Sequence, residues 1–297
     1  MRTDAFRYTY RGTWLQLVRP MTLSGTITPA IAGTIWAGGR GTVRPGLFLL
    51  FITAALLVQV SANVLNDYFD FKKGQDEEKW TAGPATPGHA AFNQLPLLAG
   101  GMIAAAMALG ILIAIKSGGW VLWAGAISIL AALFYSAGRR PLSSVGLGET
   151  VAAVFLGFTV ALLAYGIQDV PFSPSIFAVA LPFAFLIAGM ILTNNIRDLE
   201  KDRPFRCTVP LIIGRRRARL LLAVLVAGAY VTVLVFTVMG VFPSAALFTF
   251  LAIPWSLRLL RLLREGAPWH DELAAMPAAA KQHWVFGFLF IAGLLLG

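Results

Sequence analysis

The stretch Ser61-Ala-Asn-Val-Leu-Asn-Asp-Tyr-Phe-Asp-Phe-Lys-Lys-Gly-Gln-Asp76 ends a long apolar segment in a row of acidic and amide side chains. The apolar segment 46–66, which runs into this stretch, is long enough to cross the hydrocarbon core of a bilayer as a helix. If that helix continues, one of its faces carries four polar residues at the spacing i, i+3, i+4 and i+7. They are Asn63, Asn66, Asp67 and Asp70. This stretch therefore predicts a membrane-spanning helix with a polar, acidic end.

The rest of the chain has the same character. Of its 297 residues, 58% are hydrophobic and only 13% are charged, whereas a soluble domain carries about 25% charged residues. A soluble enzyme and a disordered chain are therefore excluded. The apolar blocks predict an all-α polytopic membrane protein with eight or nine transmembrane helices in one domain, 1–297. Their approximate cores are 21–37, 46–66, 95–115, 119–137, 151–167, 176–194, 220–239, 243–260 and 282–297.

The charges predict an orientation. With nine helices, 21 of the 24 Lys and Arg residues fall on the side that holds the N-terminus and the even-numbered loops. The positive-inside rule places that side in the cytoplasm. It also explains the net charge of +10 without a nucleic-acid partner, so none is expected. In addition, 13 of the 14 acidic residues lie on this side, and they concentrate at two helix ends.

The second acidic helix end reads Thr193-Asn-Asn-Ile-Arg-Asp-Leu-Glu-Lys-Asp202. Asn195, Asp198 and Asp202 are spaced i, i+3 and i+7, so they also share a face if the helix continues. Both motifs end an even-numbered predicted helix, about four helices apart. This arrangement indicates a degenerate internal duplication that brings the two acidic ends together across a cavity.

The residue types at the two motifs favour a metal-bound diphosphate. Converging carboxylates repel each other unless a cation holds them, and oxygen ligands from Asp and Asn suit Mg²⁺. Four nearby bases could balance the charge of a diphosphate, namely Lys72, Lys73, Arg197 and Lys201. A single such motif could be a solvated helix flank, but two matched motifs on one side favour function. Tyr135 stays open between an interfacial aromatic residue and an active-site hydroxyl.

The acidic motifs allow a second functional class, and the helix glycines suggest a packing role. A secondary transporter could also use paired acidic helix ends, although both motifs lie on one face and the opposite loops carry few polar residues. The glycines within predicted helices are expected to allow close helix packing, as at Gly100, Gly101 and Gly110.

The motifs resemble those of the UbiA superfamily of intramembrane prenyltransferases. Asn66-Asp-Tyr-Phe-Asp70 resembles its first Asp-rich motif and Asp198-x-x-x-Asp202 its second. The chain most resembles the 1,4-dihydroxy-2-naphthoate polyprenyltransferases of menaquinone synthesis, with which it shares further segments. These are residues 66–76, Asn194-Asn-Ile-Arg-Asp198, Gly146-Leu-Gly-Glu149, and Trp14 with Arg19-Pro20-x-Thr22.

The resemblance implies transfer of a polyprenyl group from a polyprenyl diphosphate to an aromatic acceptor through an allylic cation, with Mg²⁺ as cofactor. It implies a helical bundle in a bacterial inner membrane, with the site facing the cytoplasm. Other acceptors, such as 4-hydroxybenzoate, remain alternatives. The implied metal ligands are Asn66, Asp67, Asp70 and Asp76 in one group and Asn195, Asp198 and Asp202 in the other.

The resemblance also assigns roles outside the metal ligands. Lys72 and Arg197 contact diphosphate oxygens, with Asn63, Asn195 and Lys201 as further substrate-binding residues. Tyr135 lies near the cation, and Arg139 or Glu149 orients the acceptor. The chain departs from the family after its second motif, where residues 203–209 are one residue shorter and carry Phe205 in place of a glycine. Arg206 is the candidate to replace the charge of the family's lysine there.

Overall fold

A computed structural model of the chain describes residues 8–83 and 87–297. Arg2 and Arg7, which contribute to the predicted charge asymmetry, lie outside the described residues. Within the described residues each of the nine predicted apolar cores lies on a helix. We number these helices α1 Ser24–Gly38, α2 Pro45–Lys72, α3 Leu95–Ser117, α4 Trp120–Ser136, α5 Gly148–Gly166, α6 Ser175–Arg197, α7 Arg215–Val238, α8 Ser244–Leu262 and α9 Trp269–Leu295.

Seven of these helices, all except α1 and α4, are long and apolar enough to cross a membrane. Helix α4 is a shorter apolar helix of 17 residues, and α1 has 15 residues with Pro29 inside it. The all-α membrane fold and the approximate helix number are therefore confirmed. A short helix, Trp14–Val18, precedes α1, and two more, Leu199–Asp202 and Val209–Ile213, lie between α6 and α7.

Two helices have irregular hydrogen bonding. Residues Ala153–Phe158 of α5 form a π-helical stretch, and residues Ser244–Ala252 of α8 form a 3₁₀ helix. The π-helical stretch contains Gly157, where an added Cβ would stand 2.5 Å from the Cα of Ala184 in α6. A glycine is required there because any side chain would push α5 and α6 apart.

The predicted start of the last helix is wrong. The expected core was 282–297, but α9 begins at Trp269 and contains both Pro277 and Lys281. Both residues precede the predicted core and interrupt its apolar pattern. Residues 272–280 are rich in Glu, Leu, Met and Ala, which favour a helix, and Pro277 is accommodated within it. The whole of α9 packs against α8 and α6.

A small two-stranded sheet covers the end of the bundle where both acidic motifs lie. Strand β1, Tyr8–Tyr10, pairs antiparallel with β2, Trp80–Ala82, so that Tyr10 lies opposite Trp80. The Trp80 ring packs 4.8 Å from that of Phe71, at the end of α2. This aromatic cluster fixes the loop after α2 and thereby positions Lys79, whose carbonyl accepts a hydrogen bond from the backbone N–H of Arg11.

Candidate active site

A cavity of about 540 Å³ opens among helices α1 to α6. Its mouth is lined by polar residues from both acidic motifs, and its deeper part is lined mainly by aliphatic and small residues. The polar lining residues include Arg19, Asn63, Asn66, Asp67, Asp70, Asp76, Lys79, Tyr135, Asn194, Asn195, Arg197, Asp198, Asp202 and Arg206. The predicted convergence of two acidic helix ends on one cavity is therefore present.

Asp67 is the most enclosed carboxylate of the first motif, with a side chain only 1% exposed. Its Oδ1 atom accepts from Arg19 Nη2 and from Lys79 Nζ, each at 2.9 Å. Within the described residues its Oδ2 atom is buried without a hydrogen-bond partner. A buried carboxylate oxygen without a partner is costly, so this atom is suited to bind a further positive group.

Two cations connect the first motif to the second. Arg206 Nη2 lies 2.5 Å from Asp70 Oδ2, and its Nε lies 3.7 Å from Asp202 Oδ1. Lys201, on the short helix Leu199–Asp202, pairs with Asp76 and Glu78, which both lie in the loop that follows α2. The chain thus holds the two acidic motifs together with its own positive charges.

Two carboxyl groups of the site that lie outside the membrane-spanning helices, Asp76 and Asp202, differ in pKa. Burial would raise the pKa of Asp76, but the ion pairs with Lys79 and Lys201 outweigh this effect and hold its pKa well below the usual value. Burial raises the pKa of Asp202 to about 6, because the nearby Arg206 compensates only in part. Asp76 therefore stays ionised, whereas Asp202 titrates close to neutral pH.

The backbone is unusual at two positions of this site. Arg19 and Asp76 adopt left-handed conformations, with φ of 55° and 53°, which non-glycine residues rarely do. Such backbone strain costs of order 1–3 kcal/mol and persists only where the surroundings enforce it. Both residues direct a charged side chain into the cluster, at Asp67 and at Lys79 respectively.

The second motif has its own ion pair. Arg197 contacts Asp198 through two hydrogen bonds, Nε to Oδ1 at 2.7 Å and Nη2 to Oδ2 at 2.6 Å. The same Nη2 donates to Asn194 Oδ1 at 2.8 Å. The paired geometry holds the guanidinium at the cavity wall, where a bound anion could contact it.

Beside the second motif, Glu149 forms a buried polar contact. Its Oε1 accepts from Asn195 Nδ2 at 2.9 Å, and its Oε2 is buried without a partner within the described residues. Glu149 itself does not line the cavity, whereas its neighbour Tyr135 does. Glu149 is therefore placed to orient Asn195 and to act on the cavity through it.

Not every predicted site residue reaches the cavity. Lys72 donates to the hydroxyl of Tyr68 at 3.3 Å and does not line the cavity, and Arg139 is exposed in the loop after α4. Lys201 acts through Asp76 rather than at the cavity wall. Lys73 donates to the carbonyl of Ser136 at 3.0 Å and does not line the cavity either. The remaining predicted site residues, apart from Glu149, line it.

Lys79 was not predicted at the site, and Asn194 and Arg19 appeared only as members of sequence motifs. The Arg19-Pro20 pair was a usable signal for that residue. No sequence signal marked Lys79, because a local pattern does not reveal that the loop after α2 folds back towards Asp67. Arg206, the candidate to replace the family's lysine, lines the cavity between Asp70 and Asp202.

The residues present fit a hard divalent cation. No ready-made cluster of three His, Cys, Asp or Glu side chains exists within residues 8–83 and 87–297, since the carboxylates each face a basic side chain. The donor set is nevertheless all oxygen, and the unpartnered Oδ2 of Asp67 belongs to it. Carboxylates of this kind bind Mg²⁺ together with phosphate oxygens of a substrate.

The apolar helices define an integral membrane protein, and its cavity has a charged mouth and an apolar interior. Residues 26–276 match the UbiA prenyltransferase family, and the chain belongs to it. It is therefore a prenyltransferase.

Similar proteins include 1,4-dihydroxy-2-naphthoate octaprenyltransferases. That of Bacillus subtilis is 29% identical over 95% of this chain and 91% of its own length. That of Mycobacterium tuberculosis is 30% identical over 85% of this chain and 86% of its own length. Among solved structures, a UbiA homologue from Archaeoglobus fulgidus bound to GPP and Mg²⁺ has a TM-score of 0.65 at 16% identity, over 95% of this chain and 100% of that one.

Proposed function

We propose that this prenyltransferase transfers a polyprenyl group from a polyprenyl diphosphate to 1,4-dihydroxy-2-naphthoate, with Mg²⁺ as cofactor. The observation that carries the proposal is the cavity itself, whose mouth is formed by both acidic motifs and whose interior is apolar. A diphosphate fits the mouth and a prenyl tail fits the interior. The naphthoate acceptor is supported by the names of the similar proteins.

Each acidic motif supplies ligands for the Mg²⁺ that accompanies the diphosphate. Mg²⁺ supplies positive charge that stabilises the departing diphosphate. The proposed metal ligands are Asn66, Asp67, Asp70 and Asp76 from the first motif and Asn195, Asp198 and Asp202 from the second. We assign these carboxylates both to binding and to catalysis, since departure of the diphosphate depends on them.

Basic side chains complete the diphosphate site. Arg197 and Arg206 line the cavity, so their guanidinium groups can donate to diphosphate oxygens as negative charge develops there. Arg19 and Lys79 hold Asp67 in place from the other side. Lys201 positions Asp76 through their ion pair.

The apolar part of the site protects the reacting carbon. Loss of diphosphate leaves an allylic cation, and the enclosing helices keep bulk water from quenching it. Tyr135 lines the cavity and can stabilise this cation through its electron-rich ring. A ring carbon of the aromatic acceptor then attacks the cation and forms the new C–C bond. The bond from that carbon to the carboxylate breaks to release CO₂, and its electron pair restores the aromatic ring. Asn195, held by Glu149, is the candidate to orient the acceptor.

The charge asymmetry supports the orientation of the site. We propose that the N-terminus and both acidic motifs face the cytoplasm of a bacterium, with the bundle in its inner membrane. The diphosphate mouth then opens towards the side that carries 21 of the 24 basic residues.

The test is product formation by the purified protein. With geranylgeranyl or octaprenyl diphosphate, Mg²⁺ and dihydroxynaphthoate, we expect a prenylated naphthalene product. EDTA and Asp70→Asn should abolish it, whereas Glu200→Gln, an exposed acid on the short helix of the second motif, should retain it. If only 4-hydroxybenzoate is prenylated, the assignment of the acceptor is wrong. If no product forms with any donor and acceptor, the proposed function is wrong.

A further inference from the structure

The cavity reaches far below the diphosphate mouth. On α2 its lining runs from Asp70 to Phe51, which is about 28 Å along a helix, against about 30 Å for the hydrocarbon core of a bilayer. At its far end the lining residues Phe51, Ile113, Val121 and Ile167 pack into one buried apolar cluster. We call these four residues the floor of the cavity.

Two glycines line the cavity just above this floor. Gly110 lies on α3 and Gly125 on α4. An added Cβ at either position would meet no heavy atom within 4 Å, so both glycines face open space. Neither glycine brings helices together, and the expectation of close packing is wrong for Gly100 and Gly101 as well, which also have no atom within this distance.

Each of the two glycines lies close to a residue of the floor. Gly110 precedes Ile113 by three residues and Gly125 follows Val121 by four, so each lies one helical turn from a floor residue on the same face. Helices α3 and α4 are antiparallel neighbours joined at residues 118–119, which brings both glycines to a similar depth. Any side chain there would narrow the cavity from two walls.

We infer that Gly110 and Gly125 determine the length of prenyl tail that this enzyme accepts. With hydrogen atoms in place of side chains, they leave room for the far isoprene units of a long tail. A two-unit tail ends nearer to the mouth and does not depend on them. This inference rests on the proposed function, and it names which residues of the chain select the donor.

The experiment compares donors of two, four and eight isoprene units on the full-length protein in detergent or liposomes. The variants are Gly110→Leu and Gly125→Leu, which fill the space and also favour helix over glycine. Gly101→Leu is the matched control, because it places the same side chain on the exposed outer face of α3, away from the cavity.

For both cavity variants we expect turnover of geranyl diphosphate within about twofold of the unsubstituted protein, and turnover of the longer donors at least about tenfold lower. Gly101→Leu should use all three donors normally. An equal loss for every donor length, or full turnover of the eight-unit donor, would overturn the inference.

Binding of non-reacting prenyl thiolodiphosphates with Mg²⁺ separates this inference from the proposed function. If the unsubstituted protein prenylates no aromatic acceptor, the proposed function fails, and the binding data alone decide the inference. A length-dependent loss of affinity in Gly110→Leu and Gly125→Leu would support it. Unchanged affinity for long analogues in both variants would refute it.

Discussion

Arg206 contacts a carboxylate from each acidic motif, with Nη2 2.5 Å from Asp70 Oδ2 and Nε 3.7 Å from Asp202 Oδ1. Its side chain also donates to Gln75 Oε1, at 2.9 Å from Nη2 and 3.2 Å from Nε. Because these carboxylates would otherwise repel each other, the guanidinium between them keeps the mouth of the cavity assembled. It also leaves a positive group beside the place where we expect the diphosphate.

Replacement of Arg206 by Gln should therefore weaken donor binding and lower stability together. We expect the KM for the prenyl diphosphate to rise at least about tenfold, since a charge-assisted contact is lost. The Tm in Mg²⁺-free buffer should also fall, because two buried carboxylates lose their cation. Arg203→Gln is the control, since that side chain pairs with Glu200 on the surface. An unchanged KM in Arg206→Gln would show that Arg206 does not act on the donor.

Lys79 should contribute more than Lys72 to the affinity for the prenyl diphosphate. Lys79→Met removes one of the two cations on Asp67, so we expect donor affinity to fall by about tenfold. Lys72→Met should change it by less than about twofold, because Lys72 contacts Tyr68 outside the cavity. Steady-state kinetics with a varied donor concentration gives both values. Equal losses in the two variants would mean that the diphosphate lies nearer to Lys72 than the cavity indicates.

Donor binding with Mg²⁺ should depend on pH through Asp202. Burial raises the pKa of this carboxyl to about 6, so it is charged above that pH and protonated below it. A protonated carboxyl is a poor metal ligand, so Mg²⁺-dependent affinity should be full near pH 7.5 and should decline as the pH falls through 6. Asp202→Asn should bind weakly at both pH values and lack this step. A step of the same size in Asp202→Asn would assign it to another group.

Gly157 should be intolerant of any side chain. A Cβ there would stand 2.5 Å from Ala184 Cα, so Gly157→Ala must displace α5 from α6. We expect a loss of about 1–3 kcal/mol in stability, measured as a lower Tm in detergent. Gly100→Ala is the control, since the space beside Gly100 is open. A Tm for Gly157→Ala equal to that of the control would contradict the tight contact.

The sequence allowed the helices and the acidic motifs to be predicted because both are local patterns. A run of apolar residues long enough to span a bilayer is read directly from the chain, as in α2 and α6. The spacing of Asn66, Asp67 and Asp70 follows from helix geometry alone, so their common placement at the cavity was accessible too.

The ion pairs between distant segments could not be predicted in the same way. Nothing local to Arg206 indicates that it meets Asp70, and nothing near Lys79 shows that its loop returns to Asp67. Gly110 illustrates a second limit. A glycine in a membrane helix can serve close packing or open space, and only the neighbouring helices decide between the two.

Equilibrium binding of geranylgeranyl thiolodiphosphate with and without Mg²⁺ tests whether Asp67 and Asp198, from different motifs, serve one metal–diphosphate site. We therefore predict that binding requires Mg²⁺ and that Asp67→Asn and Asp198→Asn each weaken it at least about tenfold, with Glu200→Gln unchanged. Full affinity without Mg²⁺, or in either Asp variant, would contradict the account.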